Sequence, residues 1–336
     1  MEIVNLAASI TNFFCIPDTY AFVRREFTKL QAAVLMYHRV CPKDNTWSYT
    51  GLSPKDFEMQ MKYLRKNFEI LSLETLGQYI QDGKSPPKKS VVITFDDGYK
   101  DNFLYAYPIL KKYHIPATVF LATGFIGTDK LLWWDKIAYA LENTSVNEFE
   151  LDTIGYYKLN SSADRIIAAN RITEQIKSIP DENKHLTEKE LLRTLEVNIP
   201  PGLGENILLN WEEITKMSLG GVSFGAHTVN HPILTNLPIE QAKSEIMASK
   251  QDMEAKLDRP VTTFSYPNGD RNKELVEFVS NSGFTCAVST KPGRLINTED
   301  NPYELNRMCS LDFNVLKIML SGLWGDLHHL ATYRIN

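Results

Sequence analysis

Short β-rich runs alternate with amphipathic helical segments along most of this 336-residue chain. That alternation limits the possible folds more than any other feature. Six runs, 33–37, 90–95, 117–122, 222–226, 261–266 and 285–289, are rich in Val, Ile, Phe and Thr and bounded by polar, Gly or Pro residues. This is the pattern of strands buried on both faces. Between them, Ser53-Pro54-Lys55-Asp56 supplies an N-cap, a proline for the first helical position and an acid in the first turn. Phe57, Met61, Leu64 and Phe68 then fall on one helical face. Pro238 precedes a second such face, built from Ala242, Ile246, Ser249, Met253 and Leu257. Strands separated by helices make a mainly parallel sheet covered on both sides, either doubly wound or closed into a barrel.

One stretch breaks the rhythm. Between Gly127 and Trp211 charged, helix-prone sequence takes over, including Trp133-Trp134-Asp135 and a mixed-charge run at 181–195. A partly helical insertion within one domain is expected there, since a structureless loop of about 80 residues would be exceptional. Trp133, Trp134 and Trp211 border it; such rings stack on sugars, and they also anchor inserted subdomains. The net charge of -5, from 36 basic and 41 acidic residues, argues against a nucleic-acid partner. Four widely spaced cysteines, Cys15, Cys41, Cys286 and Cys309, support neither a cysteine zinc site nor a disulfide framework. No apolar run reaches 18 residues, so a spanning helix is not expected. The mildly apolar stretch 3–16 lacks a preceding basic region and soon meets Asp18, Arg24 and Arg25. It reads as a helix packed on the domain or lying at a membrane surface, not as a cleaved signal, with a cytoplasmic or peripheral location.

The chemistry-bearing residues sit at strand ends. The run 90–95 leads straight into Asp96-Asp97-Gly98, and ligands of parallel α/β folds bind at the carboxyl ends of strands. Adjacent carboxylates repel, which invites a shared proton or a cation between them; a plain polar turn is the competing reading. The run 222–226 leads into His227-Thr228-Val229-Asn230-His231. Two histidines four apart share a helix face and can ligate one metal. Two histidines and one carboxylate leave a position open for water, as in catalytic zinc sites, and free the second carboxylate to act as a general base. A third strand ends at Tyr266-Pro267-Asn268-Gly269, a turn that could aim backbone N–H groups at an oxyanion. His38 also follows a strand and could line the pocket or simply satisfy a strand–loop junction.

Thr94-Phe95-Asp96-Asp97-Gly98, the His227–His231 cluster and Tyr266-Pro267-Asn268-Gly269, with the opening Leu35-Met36-Tyr37-His38-Arg39-Val40, together resemble the polysaccharide deacetylases. These are the NodB-homology domains of carbohydrate esterase family four. The resemblance spans roughly 33–311 and implies an α/β fold, a distorted (β/α)7 barrel of TIM-barrel type carrying a mainly helical insertion at about 128–212. Residues 1–32 would form an N-terminal helical segment and 312–336 a helical tail. By the resemblance, Asp96 is the catalytic base, and Asp97, His227 and His231 hold a divalent metal, most often Zn²⁺, with Co²⁺ or Ni²⁺ as other choices. The partner it implies is an N-acetylated glycan, which loses acetate. The backbone N–H of Asn268 would serve the oxyanion, and His38, Tyr266 and Pro267 would touch substrate. Ser265 stands where the family commonly carries the arginine that holds the base; Arg307 could replace it, or form a surface ion pair. Leu327-His328-His329 is a weak match to the motif that provides the family's general acid. Two other readings stay open: an amide hydrolase for a small non-sugar substrate, and a non-catalytic carbohydrate-binding barrel.

Overall fold

The seven strands of the barrel are short and nearly all of their described side chains are buried, so each must be covered on both faces. The computed structural model describes residues 32–42, 51–292, 295–296, 299–309 and 312–322. The helix expected at 3–16 and His328-His329 lie outside the described residues. Seven parallel strands run in the order β1 (Ala32–Tyr37), β2 (Ser90–Phe95), β3 (Ala117–Leu121), β4 (Val222–Ala226), β5 (Thr263–Ser265), β6 (Cys286–Pro292) and β7 (Leu305–Arg307). The ring closes where Met308, just past β7, exchanges backbone hydrogen bonds with β1: Met36 N to Met308 O and Met308 N to Val34 O, both 2.8 Å. A short extra strand, Glu69–Leu71, pairs with the first half of β2, and β3 takes the second half of that edge. The result is the expected distorted (β/α)7 barrel.

Alternation of side chains along each strand divides the core in two. Val34, Val92, Phe120, Val288 and Leu305 pack together with Leu73, Leu76 and Ile80 of α2 (Leu73–Gln81). The opposite faces, including Leu35, Ile93, Val119 and Phe224, meet the surrounding helices. Among these, α1 (Pro54–Asn67) begins as the sequence implies, with the Ser53 hydroxyl accepting from Asp56 N and with Phe57, Met61 and Leu64 buried. α7 (Ile239–Leu257) buries Ala242, Ile246, Ser249 and Met253, four of the five expected face residues. The last helix among the described residues, α9 (Phe313–Ser321), contributes Leu316, Met319 and Leu320 to the same core.

The segment after β3 holds α3 (Trp133–Asn143), an antiparallel hairpin (Glu148–Leu151 with Gly155–Lys158), α4 (Ser162–Ser178) and α5 (Asp181–Thr194). It has an apolar cluster of its own, with Ile137, Leu141, Phe149 and Ile172. The hairpin was not legible in the charged sequence. Two further helices, α6 (Trp211–Leu219) and α8 (Lys273–Ser280), flank β4 and β6 in the chain. Among the described residues no helix is long and apolar enough to cross a membrane.

Candidate active site and metal centre

β2 delivers its two carboxylates in opposite ways. Val92, Thr94 and Asp96 share one face of the strand line, so Asp96 follows the inward-facing row. The chain then turns sharply. Asp97 and Gly98 both take positive φ, 74° and 79°, a conformation that Asp tolerates and Gly adopts freely. A Cβ on Gly98 would lie 2.9 Å from the Leu121 side chain, so the turn needs glycine for space as well as for geometry.

The two histidines do not share a helix face, contrary to the expectation from their spacing. Residues 227–231 form a loop after β4, in which Thr228 and His231 have φ of 65° and 53°. Such angles are costly for a β-branched residue, and the surroundings impose them. Glu245 of α7 accepts from the backbone N–H of Val229 and Asn230, both at 2.9 Å. Thr123 N and Gly124 N donate to the carbonyls of Thr228 and Val229. The Thr228 hydroxyl accepts from His231 N at 3.0 Å. Pinned this way, the loop brings His231 Nε2 to 3.1 Å from His227 Nε2.

Asp97 Oδ1 completes a triangle with these atoms, 3.5 Å from His227 Nε2 and 3.4 Å from His231 Nε2. His227 Nδ1 lies 2.7 Å from the Ser265 carbonyl, which can only accept. Nδ1 therefore carries the proton and Nε2 presents its lone pair. Two imidazole nitrogens facing each other at 3.1 Å need a proton or a cation between them. Ligands bound to zinc at about 2.0–2.2 Å in tetrahedral or octahedral geometry sit roughly 3.0–3.6 Å apart, which is the size of this triangle. The donor set and its spacing thus fit a divalent metal, and Asp97, His227 and His231 form the group among the described residues with that arrangement.

The electrostatics favour an ionised floor. Burial pushes Asp97 up, but the imidazoles of His227 and His231 beside it outweigh burial and leave its carboxyl well below the usual range. Burial likewise opposes ionisation of Asp96, and the Arg307 guanidinium overcomes it, again with a net downward shift. For His227 burial acts downward, yet Asp97 and Asp96 raise it overall; for His231 burial prevails and lowers it.

Arg307 is not at the surface. It is 1% exposed and grips Asp96 in a bidentate pair, Nη1 to Oδ1 at 2.7 Å and Nη2 to Oδ2 at 2.6 Å. Its Nη2 also donates to Ser265 Oγ at 3.0 Å and its Nε to Ser289 O at 3.0 Å. Ser265 is small enough to admit this guanidinium from β7 and supplies an acceptor for it.

A cavity of about 360 Å³ opens over this floor, lined by His38, Asp96, Asp97, His227, His231 and Asn268. Asn268 takes φ 55° in a single 3₁₀ turn (Pro267–Gly269), and its carbonyl accepts from Thr290 Oγ1 at 2.6 Å. Tyr266 and Pro267, expected to touch substrate, do not line the cavity. Tyr266 is fully buried, its ring set edge-on to Phe264 and its hydroxyl donating to Tyr303 O at 3.1 Å. The alternation of the strand that turns Ser265 inward turns Tyr266 away. The far wall of the cavity comes from the inserted segment, through Trp133, Trp134 and Asp135 of α3 and Asn170 and Thr173 of α4. Trp134 packs edge-on against His231, ring centroids 4.6 Å apart. Asp135 was visible beside the paired tryptophans, but nothing local marked it as lining a site.

The family model described as polysaccharide deacetylase matches residues 83–287. A poly-β-1,6-N-acetyl-D-glucosamine N-deacetylase of Staphylococcus aureus is 30% identical over 218 residues, which cover 60% of this chain and 73% of that protein. Two solved structures share the fold. The Streptococcus pyogenes deacetylase PplD, in complex with acetate, superposes with a TM-score of 0.58 at 22% identity, covering 87% of this chain and 99% of that one. IcaB from Ammonifex degensii gives 0.57 at 18% identity, covering 88% and 98%. The chain belongs to the polysaccharide deacetylase family.

Proposed function

We propose that this protein is a metal-dependent hydrolase that removes the N-acetyl group from an N-acetylated sugar of a glycan, releasing acetate. The observation that carries the reading is the Asp97–His227–His231 triangle lying beside the Arg307-bound Asp96 on the floor of one cavity. The similarity to a deacetylase of poly-N-acetylglucosamine supports the choice of substrate class.

Asp97, His227 and His231 would hold the cation, with Zn²⁺ the best match to two imidazoles and a carboxylate. Co²⁺ or Ni²⁺ would also accept that set. When bound, the cation supplies Lewis-acid polarisation of the acetamide carbonyl and lowers the pKa of water. Asp96 takes the proton of the attacking water. Arg307 keeps that carboxylate ionised and fixes its direction through two parallel hydrogen bonds. The Asn268 N–H donates to the carbonyl oxygen as negative charge develops on it. His38, at the rim, contacts the sugar.

The test is acetate release from N-acetylglucosamine oligomers by zinc-loaded protein, run beside Asp96→Asn. Release by the natural protein, with a loss of about 10²–10⁴ in the variant, is the expected result for a general base. Equal release by both removes Asp96 from that role.

A further inference from the structure

Asp97 and His231 follow β2 and β4, which are not neighbours, since β3 lies between them. The 3.4 Å between Asp97 Oδ1 and His231 Nε2 is therefore set by whatever bridges the two strand ends. The ring of His227 is oriented by a hydrogen bond, Nδ1 to Ser265 O at 2.7 Å. The ring of His231 is oriented by two other rings. His227 and Trp134 both meet it edge-on, with centroids 4.6 Å away and interplanar angles of 81° and 70°. Trp134 lies in α3, so this contact comes from the inserted segment and not from the barrel.

Trp134 is itself held in place. Its Nε1–H donates to Tyr99 Oη at 2.8 Å, and that hydroxyl reaches the Asp135 carboxyl, whose oxygens lie 3.2 and 3.1 Å away. Tyr99 follows directly on the Asp97-Gly98 turn and is 3% exposed. The Arg39 guanidinium covers its ring at 4.6 Å, and Arg39 Nε donates to Asp101 at 2.6 Å. Tyr99 and Trp134 also pack into an apolar cluster with Ala122, Leu131, Leu132 and Leu208, which fixes the start of α3 to the barrel. The indole is thus a strut. One end rests on the residue beyond the turn that carries Asp97, and the other rests on the loop that carries His231.

A ligand already held where a cation needs it gives up little rotamer freedom on binding, and groups outside the ligand set that orient a ligand raise metal affinity. On the metal-centre reading above, we propose that Trp134 is a positioning residue for the metal: braced by Tyr99, it holds the His231 imidazole at the distance and angle to Asp97 that a divalent cation requires. The inserted segment thereby sets the affinity of a site whose three ligands all come from the barrel.

The experiment measures zinc affinity by competition with a chromophoric chelator at pH 7, for natural protein, Trp134→Leu, Tyr99→Phe and the double variant. Urea unfolding of each in excess chelator reports the stability of the metal-free fold. Trp134→Leu weakens zinc binding about 10–100-fold, the range seen when a metal ligand loses its outer partner. Tyr99→Phe keeps the indole but removes its brace, and weakens zinc about 2–10-fold, the worth of one neutral hydrogen bond. Because Tyr99 acts through Trp134, the double variant binds zinc no more weakly than Trp134→Leu. A residue that only packs the insertion onto the barrel would lower the urea midpoint and leave the zinc affinity of the folded protein untouched; that result overturns the proposal. Additive losses in the double variant overturn it too, since Tyr99 would then act by another route. If Trp134→Leu does not fold, an unchanged zinc affinity in Tyr99→Phe is enough to overturn it. Natural protein that takes up no zinc would overturn the metal-centre reading and this proposal with it, a result seen before any substitution is made.

Discussion

Replacing Arg307 by Met tests the most deeply buried ion pair of the site. The substitution removes five donated hydrogen bonds, two of them to an ionised carboxylate. It leaves Asp96 at 1% exposure with its cation gone. Breaking a buried pair from one side costs about 3–5 kcal/mol, because the remaining charge stays desolvated. That corresponds to a loss of roughly two to four powers of ten in the folding equilibrium. The assay is urea unfolding near pH 7 in chelator, followed by tryptophan fluorescence, for Arg307→Met, Asp96→Asn and the double variant. The cycle should return a coupling of about 2–3 kcal/mol, typical of a close, strongly interacting pair. The sign with pH follows from the direction of the Asp96 shift. With Arg307 present, that carboxyl is held below the usual range, so the pair's contribution is complete above that range and is lost as pH falls through the native value. Without Arg307, burial is opposed only by the smaller pull of His227 and His38, so the carboxyl lies higher than in the natural protein and the variant's deficit shrinks as the pH is lowered and Asp96 takes a proton. A deficit below about 1 kcal/mol, a coupling near zero, or a deficit constant from neutral to acid pH would refute the reasoning.

Removing metal should abolish acetate release, and Zn²⁺ should restore it; full turnover in chelator would end the metal-dependent reading. Zinc at 100 times its Kd should add about 2.7 kcal/mol to stability, read as a rise in melting temperature that a chelator reverses. His231→Ala deletes one corner of the triangle, so zinc per chain should fall well below one after dialysis, and unchanged zinc content would exclude His231 as a ligand. Gly225→Ala would bring a Cβ to 2.5 Å from both Phe120 Cε1 and Thr263 Oγ1. Overpacking of this kind costs about 1–3 kcal/mol, and a urea midpoint unchanged from the natural protein would mean that β3 and β5 can part there.

Much of the barrel was legible because its strands are local objects. The run 90–95 is the observed β2, and 222–226 is the observed β4. Each is a continuous buried stretch with a sharp boundary, and buried parallel strands demand that pattern. The strand-end position of Asp96-Asp97 and of His227 followed from the same reading. The spacing of His227 and His231 was legible, but its geometry was not. A four-residue separation is shared by a helix and by this loop, and only Glu245, Thr123 and Gly124 force the positive φ angles that distinguish them.

The sequence by itself determined the alternating architecture, the strand ends where chemistry gathers and the residue types able to hold a metal. Tertiary structure alone decided which distant groups meet. Arg307 and Asp96 are 211 positions apart, and Ser265 is the gap that lets them join. Asp135 enters the cavity only because the helix that carries it packs on Tyr99, just past β2. Local pattern reports burial and backbone preference, which depend on near neighbours. A site made of converging side chains depends on closure of the barrel, which no short stretch of sequence records.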